Sequence, residues 1–262
     1  MSERIKRLVK HVLGRRLSKA AIKINNGFSE RRGNRSYAQE GEDRVLSSLF
    51  FKVHGAKHIN DGFYVDVGAH HPFRYSNTCL FYKHGWSGIN VDATPGSMAV
   101  FKKERPRDIN LESGIGRKPG KLKFYVFNEP ALNTFDEKLA KARCTDVWHI
   151  QTVVDVPIVP LSDVLKNYLP HGKRIDFLTV DVEGFDLDVL QSNDWERYRP
   201  SVVLVETFGL SFEDLSSDPV AMYLRGLGYV VYSKTVNSTF FVDKTVATAI
   251  DAAYQKVRKS LQ

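Results

Sequence analysis

Cysteine is almost missing from this chain of 262 residues: Cys79 and Cys144 are its only two. They are too few and too isolated for a disulfide framework or a zinc site, so a reducing compartment is the natural setting. No apolar run approaches the eighteen or so residues of a membrane span, and the N-terminus lacks the apolar core and small-residue cleavage site of a signal peptide. A cytoplasmic protein, or one peripheral on the inner face of the membrane, is expected. No internal repeat is visible, and 42% hydrophobic residues over this length suffice for one well-buried α/β domain with an appendage.

Glycine is missing where a dinucleotide fold would need it. Phe63-Tyr-Val-Asp66-Val-Gly68 reads as a buried strand that ends on a carboxylate and enters a glycine turn, but the turn continues Ala69-His70-His71-Pro72. A pyrophosphate site requires two further glycines so that backbone amides can reach the anion. About twenty-five residues on, Gly88-Ile-Asn-Val-Asp92 again stops on an acid, where nucleotide folds place the group that grips a ribose. The pair indicates a nucleoside cofactor without a phosphate, for which S-adenosylmethionine is the common choice. The plain alternative is an ordinary strand and turn with a chance acid.

The charge is unevenly placed. Residues 1–35 hold eleven Lys and Arg against Glu3 and Glu30, a net +9, so the remainder of this +8 chain carries −1. Ile5, Leu8, Val9, Val12, Leu13, Leu17, Ala20, Ala21 and Ile24 recur there at three- and four-residue steps, which reads as a basic amphipathic helix. Such a helix can dock on its own domain or on a second copy, or lie on an anionic bilayer, where each basic residue contributes about 1 kcal/mol. Nucleic acid ranks last, because no aromatics interleave the basic residues and the body has no matching positive excess. Residues 1–35 are taken as this extension and 36–262 as the main domain.

Strand and helix then alternate. Helices are predicted at about 40–51, 78–84, from Pro95 to 104, 162–168 and 245–259, and strands at 62–67, 88–92, 109–112, 153–159, 175–182 and 201–206. Leu122–Phe127 alternates like an edge strand, 129–150 reads as an irregular cover, and 229–234 with 238–243 form a hairpin about Val236-Asn237. Four strands finish in acids, at Asp66, Asp92, Asp181 with Glu183, and Glu206, and the C-terminal edge of a parallel sheet is where such folds hold ligands.

Five segments in order carry a resemblance: Phe63 to Thr78; Gly88-Ile-Asn-Val-Asp-Ala-Thr-Pro-Gly-Ser-Met98; Pro106-Arg-Asp-Ile-Asn-Leu-Glu112; Asn128-Glu-Pro-Ala-Leu-Asn-Thr-Phe135; and Ile175 to Leu190. With the Ser36-Tyr-Ala-Gln-Glu-Gly-Glu-Asp43 opening, residues 36–243 resemble the FkbM family of S-adenosylmethionine-dependent methyltransferases. The resemblance implies a Rossmann-like class I fold: a central, mostly parallel seven-stranded sheet with helices on both faces and a C-terminal antiparallel hairpin. It implies methyl transfer to oxygen, often on sugars of surface polysaccharides or on secondary-metabolite hydroxyls, and for this chain a sugar hydroxyl of a surface polysaccharide or glycolipid is expected. Carried over residue by residue, Asp66 and Gly68 form the first cofactor motif and Asp92 accepts from the ribose. Ala93, Ser113, Gly114 and Ile115 line the adenine, and Gln39 and Asn77 reach the amino acid part.

The chemistry needs an oxygen held in line with a methyl and a route for its proton. Asp181, Glu183 and Glu206 are candidate catalytic acids. Clustering or burial would raise them toward useful basicity, or they could hold Mg²⁺ that acidifies the hydroxyl. His70 and His71 are the other candidate bases. Asn133 and Trp148 are candidate acceptor contacts. The strand ending Asp181-Val-Glu-Gly184 lacks the Asn/Asp-Pro-Pro-aromatic turn of enzymes that methylate flipped bases, which favours a hydroxyl acceptor. The competing readings are an NAD- or nucleotide-sugar-dependent oxidoreductase and a non-catalytic scaffold with the same fold.

Overall fold

The computed structural model describes residues 35–54, 61–207 and 211–259. The basic helix expected in the first 35 residues lies outside them, apart from Arg35. Among the described residues the helices are α1 (Glu42–His54), α2 (Cys79–Lys83), α3 (Ser97–Glu104), α4 (Glu137–Arg143), α5 (Leu161–Tyr168), α6 (Asp186–Gln191), α7 (Pro219–Gly226) and α8 (Lys244–Lys259). The strands are β1 (Phe63–Val67), β2 (Ser87–Asp92), β3 (Ile109–Glu112), β4 (Gly114–Ile115), β5 (Gly120–Phe127), β6 (Ile150–Val159), β7 (Phe177–Val180), β8 (Val202–Glu206), β9 (Tyr229–Lys234) and β10 (Ser238–Asp243).

Seven strands form one sheet in the order β3-β2-β1-β7-β8-β10-β9. Only β10 runs antiparallel to its neighbours. The strands read as near-continuous apolar runs because both faces are covered. Val65, Val91, Leu178, Val180, Val203 and Val205 pack on one side with Leu161 and Leu165 of α5 and Leu224 of α7. Tyr64, Phe177, Leu204 and Phe240 pack on the other with Leu46, Leu49 and Phe50 of α1 and Leu80 of α2. The strand order reverses between β1 and β7, the topological switch point at which open α/β sheets bind ligands.

Several elements differ from the sequence reading. The alternating segment at 122–127 is an edge strand as expected, but of a second sheet: it lies in β5, which pairs antiparallel with β6 over most of its length in the order β4-β6-β5. Periodicity reports a strand's faces and not its partner. Helix α3 begins at Ser97 rather than Pro95, because Gly96 takes the left-handed cap at φ 80°. Helix α6 is too short for a 3.6-residue pattern to register. Helix α7 carried a readable signal that periodicity missed: Asp218 caps it by accepting from the Ala221 amide at 2.7 Å, with Pro219 at the first turn.

Two interactions set the loops above the switch point. Gly68 has φ 84°, and a Cβ there would lie 1.8 Å from the Asp181 carbonyl oxygen, so only glycine lets the turn after β1 close on the end of β7. Beneath it, Arg105 and Asp108 form a fully buried ion pair at 2.9 Å. Arg105 also donates to the Tyr64 hydroxyl at 2.7 Å and to the Thr78 hydroxyl at 2.9 Å, and Thr78 in turn donates to Asp66 at 2.7 Å. Asp108 accepts from Tyr64, Asn90 and the Gly88 amide. The network joins β1, β2 and the entry to α2, leaving few of its donors and acceptors idle. Arg105→Met leaves the Asp108 charge buried without a partner and is expected to cost about 3–5 kcal/mol of stability, measured by urea denaturation. A loss below about 1 kcal/mol would show that the network is not structural.

Candidate active site

Strand register brings the acids together. Asp66 pairs with Asn90 and with Thr179, and Thr179 pairs with Leu204. Two residues further along each strand stand Asp92, Asp181 and Glu206, with Gly68 between the first two. Side chains alternate along a strand, so these acids share one face and one row at the C-terminal edge. Asp66 lies one step deeper.

On the β1–β2 side, Asp92 is buried and accepts the His70 amide on one oxygen and the Thr94 amide on the other, both at 2.8 Å. Each oxygen keeps a second lone pair, enough to accept from a ribose diol. Ala93 follows, half-buried. Asp66 is enclosed, and burial pushes its carboxyl up to about 6 against the lowering effect of the Thr78 hydroxyl and Arg105. His70 sits at φ 53° with its ring parallel to that of Tyr75, centroids 6.1 Å apart. Burial holds its pKa below the usual value, and its Nε2 is buried without a partner. Such an orphan, costing about 1–3 kcal/mol, marks a place where a ligand would be satisfied. His71 is used otherwise: its Nδ1 accepts the Phe73 and Arg74 amides at 3.1 Å and clips the turn. Neither imidazole stands over the β7–β8 acids by any recorded contact.

Asn77 donates to the Thr179 hydroxyl at 3.0 Å, and Gln39 is exposed in the opening segment. That segment is pinned in place. Asp43 accepts from the Ser36 hydroxyl and the Tyr37 amide, the Ser76 amide donates to the Tyr37 carbonyl, and Glu40 accepts from the Asn237 amide. Ser113, Gly114 and Ile115 divide. The Ser113 hydroxyl is 3.1 Å from the carbonyls of Gly114 and Pro157, a Cβ on Gly114 would meet the Phe135 ring at 2.6 Å, and Ile115 is buried in the main core. Ile115 therefore presents no side chain to a cofactor.

On the β7–β8 side, carboxylate oxygens of Asp181 and Glu206 lie within 4.8 Å of each other. Carboxylates this close oppose each other's ionisation. Burial and the nearby Glu183 and Asp186 push Glu206 up to about 8. Asp181 is accessible along the crevice and crowded on its other sides. Lost hydration, then Glu206, Glu183, Asp186 and Asp66, hold it well above the usual carboxylate range. Glu183, at φ 54°, is ion-paired with Arg143 of α4. Asp186 serves the turn itself, accepting the Val182 and Gly184 amides.

Sequence reasoning missed the fastenings of the cover. Arg143 holds it to Glu183, Thr134 donates to the Glu183 carbonyl at 2.8 Å, and Arg74 pairs with Glu129 at 3.4 Å. Asn133 belongs to the same set. It is buried, accepts from the Phe127 amide and donates to the Thr94 hydroxyl, so both ends of its amide are engaged within the protein. Trp148 is 45% exposed on the turn organised by Thr145. These long-range partners leave no local sequence signal.

Ligand oxygens of Asp181, Glu183 and Glu206 lie within 4.8 Å of one another, the spacing of a metal site. Arg143 neutralises Glu183, so the set offers Mg²⁺ less negative charge than three free carboxylates would. A mostly parallel seven-stranded sheet with one antiparallel strand, carrying a row of acids at its switch point, defines a class I methyltransferase fold. The chain belongs to the FkbM methyltransferase family, whose model, the Methyltransferase FkbM domain, matches residues 66–231. A 64-residue stretch is 50% identical to Methyltransferase sdnD of Sordaria araneosa, covering 21% of this chain and about a quarter (24%) of that protein. A TehB-like SAM-dependent methyltransferase from Corynebacterium glutamicum aligns over 86% of this chain and 96% of its own at 12% identity. The TM-score of that alignment is 0.37.

The raised Glu206 carboxyl has a thermodynamic signature. A proton bound more tightly in the folded state stabilises fully below the ordinary glutamate value of 4.5 and is lost as pH rises through about 8. Glu206→Gln mimics the protonated form. Its Tm is expected to match wild type near pH 5 and to exceed it progressively toward pH 8.5. A difference in Tm that stays constant across this window would contradict the raised value.

Proposed function

We propose that the protein is an S-adenosylmethionine-dependent O-methyltransferase acting on a hydroxyl, most naturally that of a sugar in a surface polysaccharide or glycolipid. The observation that carries the reading is the row of strand-end acids, with Asp181 and Glu206 close together beside a nucleoside-type site at Asp66, Gly68 and Asp92. The residues fit this cofactor. Asp92 keeps free acceptor capacity, His70 Nε2 lacks a partner, and the concentration of carboxylates suits a sulfonium cation. When bound, S-adenosylmethionine supplies the electrophilic methyl group.

The chain's own part is binding and proton handling. Asp92 would hold the ribose, with His70 on the same side. Asp181 and Glu206 would receive the acceptor's hydroxyl proton. A carboxylate near its ordinary pKa of about 4 is a poor base for an alcohol, and one raised to about 8 is several powers of ten more basic. Arg143 and Glu183 would close the cover over the crevice and exclude water. The positive first 35 residues would keep the enzyme near an anionic membrane, where lipid-carried glycans are assembled.

Glu206→Gln and Asp181→Asn are expected to lower kcat about 10²–10⁴-fold while S-adenosylhomocysteine binding, followed by calorimetry, stays within about threefold of wild type. Wild-type kcat/KM should rise with pH and level off above about 8, as the pair gives up its proton. Asp92→Ala should instead weaken the cofactor, by roughly tenfold or more for two lost hydrogen bonds. Binding of NAD in place of S-adenosylhomocysteine would move the assignment to an oxidoreductase, and silence from both ligands would leave a scaffold.

A further inference from the structure

A cleft of about 460 Å³ lies at the opposite edge of the sheet from the acids. Ile175 and Ser201, just ahead of β7 and β8, line it together with Asp243 at the end of antiparallel β10, so it sits at the N-terminal ends of the parallel strands. A four- to five-residue strand, roughly 13–17 Å, separates the two edges. The volume falls within the range of small-molecule sites.

Its lining is cationic in a body that is otherwise nearly neutral. Lys173, Arg174, Arg197 and Arg199 face one acid, Asp243, and that acid is already committed. Arg199 donates to it at 2.6 Å, and the Thr245 amide and hydroxyl donate to its other oxygen. Arg199 is held further by the Leu227 carbonyl at 2.7 Å and lies over the Tyr229 ring, 4.8 Å from its centroid. Lys173 pairs outward with Asp61. Among the described residues, Arg174 and Arg197 have no carboxylate partner. Ile175, Tyr198 and Val246 supply an apolar floor.

We propose that this cleft is a second binding site, distinct from the methyl-transfer crevice, for a phosphate-bearing anion. Guanidinium groups match phosphate oxygens with paired hydrogen bonds, and here one is pre-positioned and two lack a carboxylate partner, Arg197 lying over the Tyr198 ring at 5.3 Å. The same chemistry serves a soluble phosphate ester or the headgroup of an anionic lipid. Apolar side chains beside the cations would seat the organic part of either.

The test uses the full chain at about 0.1 M salt, with inorganic pyrophosphate as the soluble probe and phosphatidic acid/phosphatidylcholine vesicles as the lipid probe. Both side chains are exposed, so Arg174→Met/Arg197→Met removes charge without disturbing the core, and Arg174→Glu/Arg197→Glu reverses it. Pyrophosphate binding by calorimetry that weakens at least about tenfold in both double variants supports a soluble ligand. Vesicle co-sedimentation that weakens likewise supports a headgroup. In either case S-adenosylhomocysteine affinity should stay within about twofold, so failure here is separable from failure of the methyltransferase reading. Absence of binding to both probes, or binding equal in wild type and the double variants, overturns the proposal.

Discussion

The close approach of the turn after β1 to the end of β7 is the constraint on which the rest of the site depends. At Gly68 the backbone passes so near the Asp181 carbonyl that any side chain would collide with it. That contact draws the two loops flanking the switch point into one wall and sets Asp181 level with Asp92 and Glu206. It joins the two halves of the crevice, and the buried Arg105–Asp108 network holds the lower side of the same junction through Thr78 and Asp66.

The cluster of acids is costly in the absence of ligand, and the protein manages it in three ways. Asp92 spends one lone pair of each oxygen on loop amides, burial and mutual repulsion push Asp181 and Glu206 toward their neutral forms, and Glu183 takes Arg143 as counter-ion. Each device leaves capacity that a cationic nucleoside and a hydroxyl could use. The left-handed backbone at His70 and Glu183 falls in the same two loops, where such conformations tend to accompany binding sites.

Much of the frame was legible along the chain. Buried strands read as apolar runs, each closing on an acid, and the terminal hairpin announced itself through alternation about Val236-Asn237. What lay beyond local reading has specific causes. The segment at 122–127 is the edge strand its alternation suggests, but its partner could not be foreseen, because pairing depends on segments far apart in the chain. Ile115 and Asn133 were read as ligand contacts from their motif positions, and the fold also gives them work of its own: one packs in the core and the other ties a loop. His71 likewise serves as a hydrogen-bond acceptor within its own turn.

By itself, the order of residues determined that Asp66, Asp92, Asp181 and Glu206 end buried strands, because hydrophobic runs and their polar stops are local properties. Which of those acids would crowd one another, and which would take a threonine or an amide, was decided only by tertiary structure. Strand register and loop closure bring groups over a hundred residues apart within hydrogen-bonding distance, and no periodicity along the chain records that meeting.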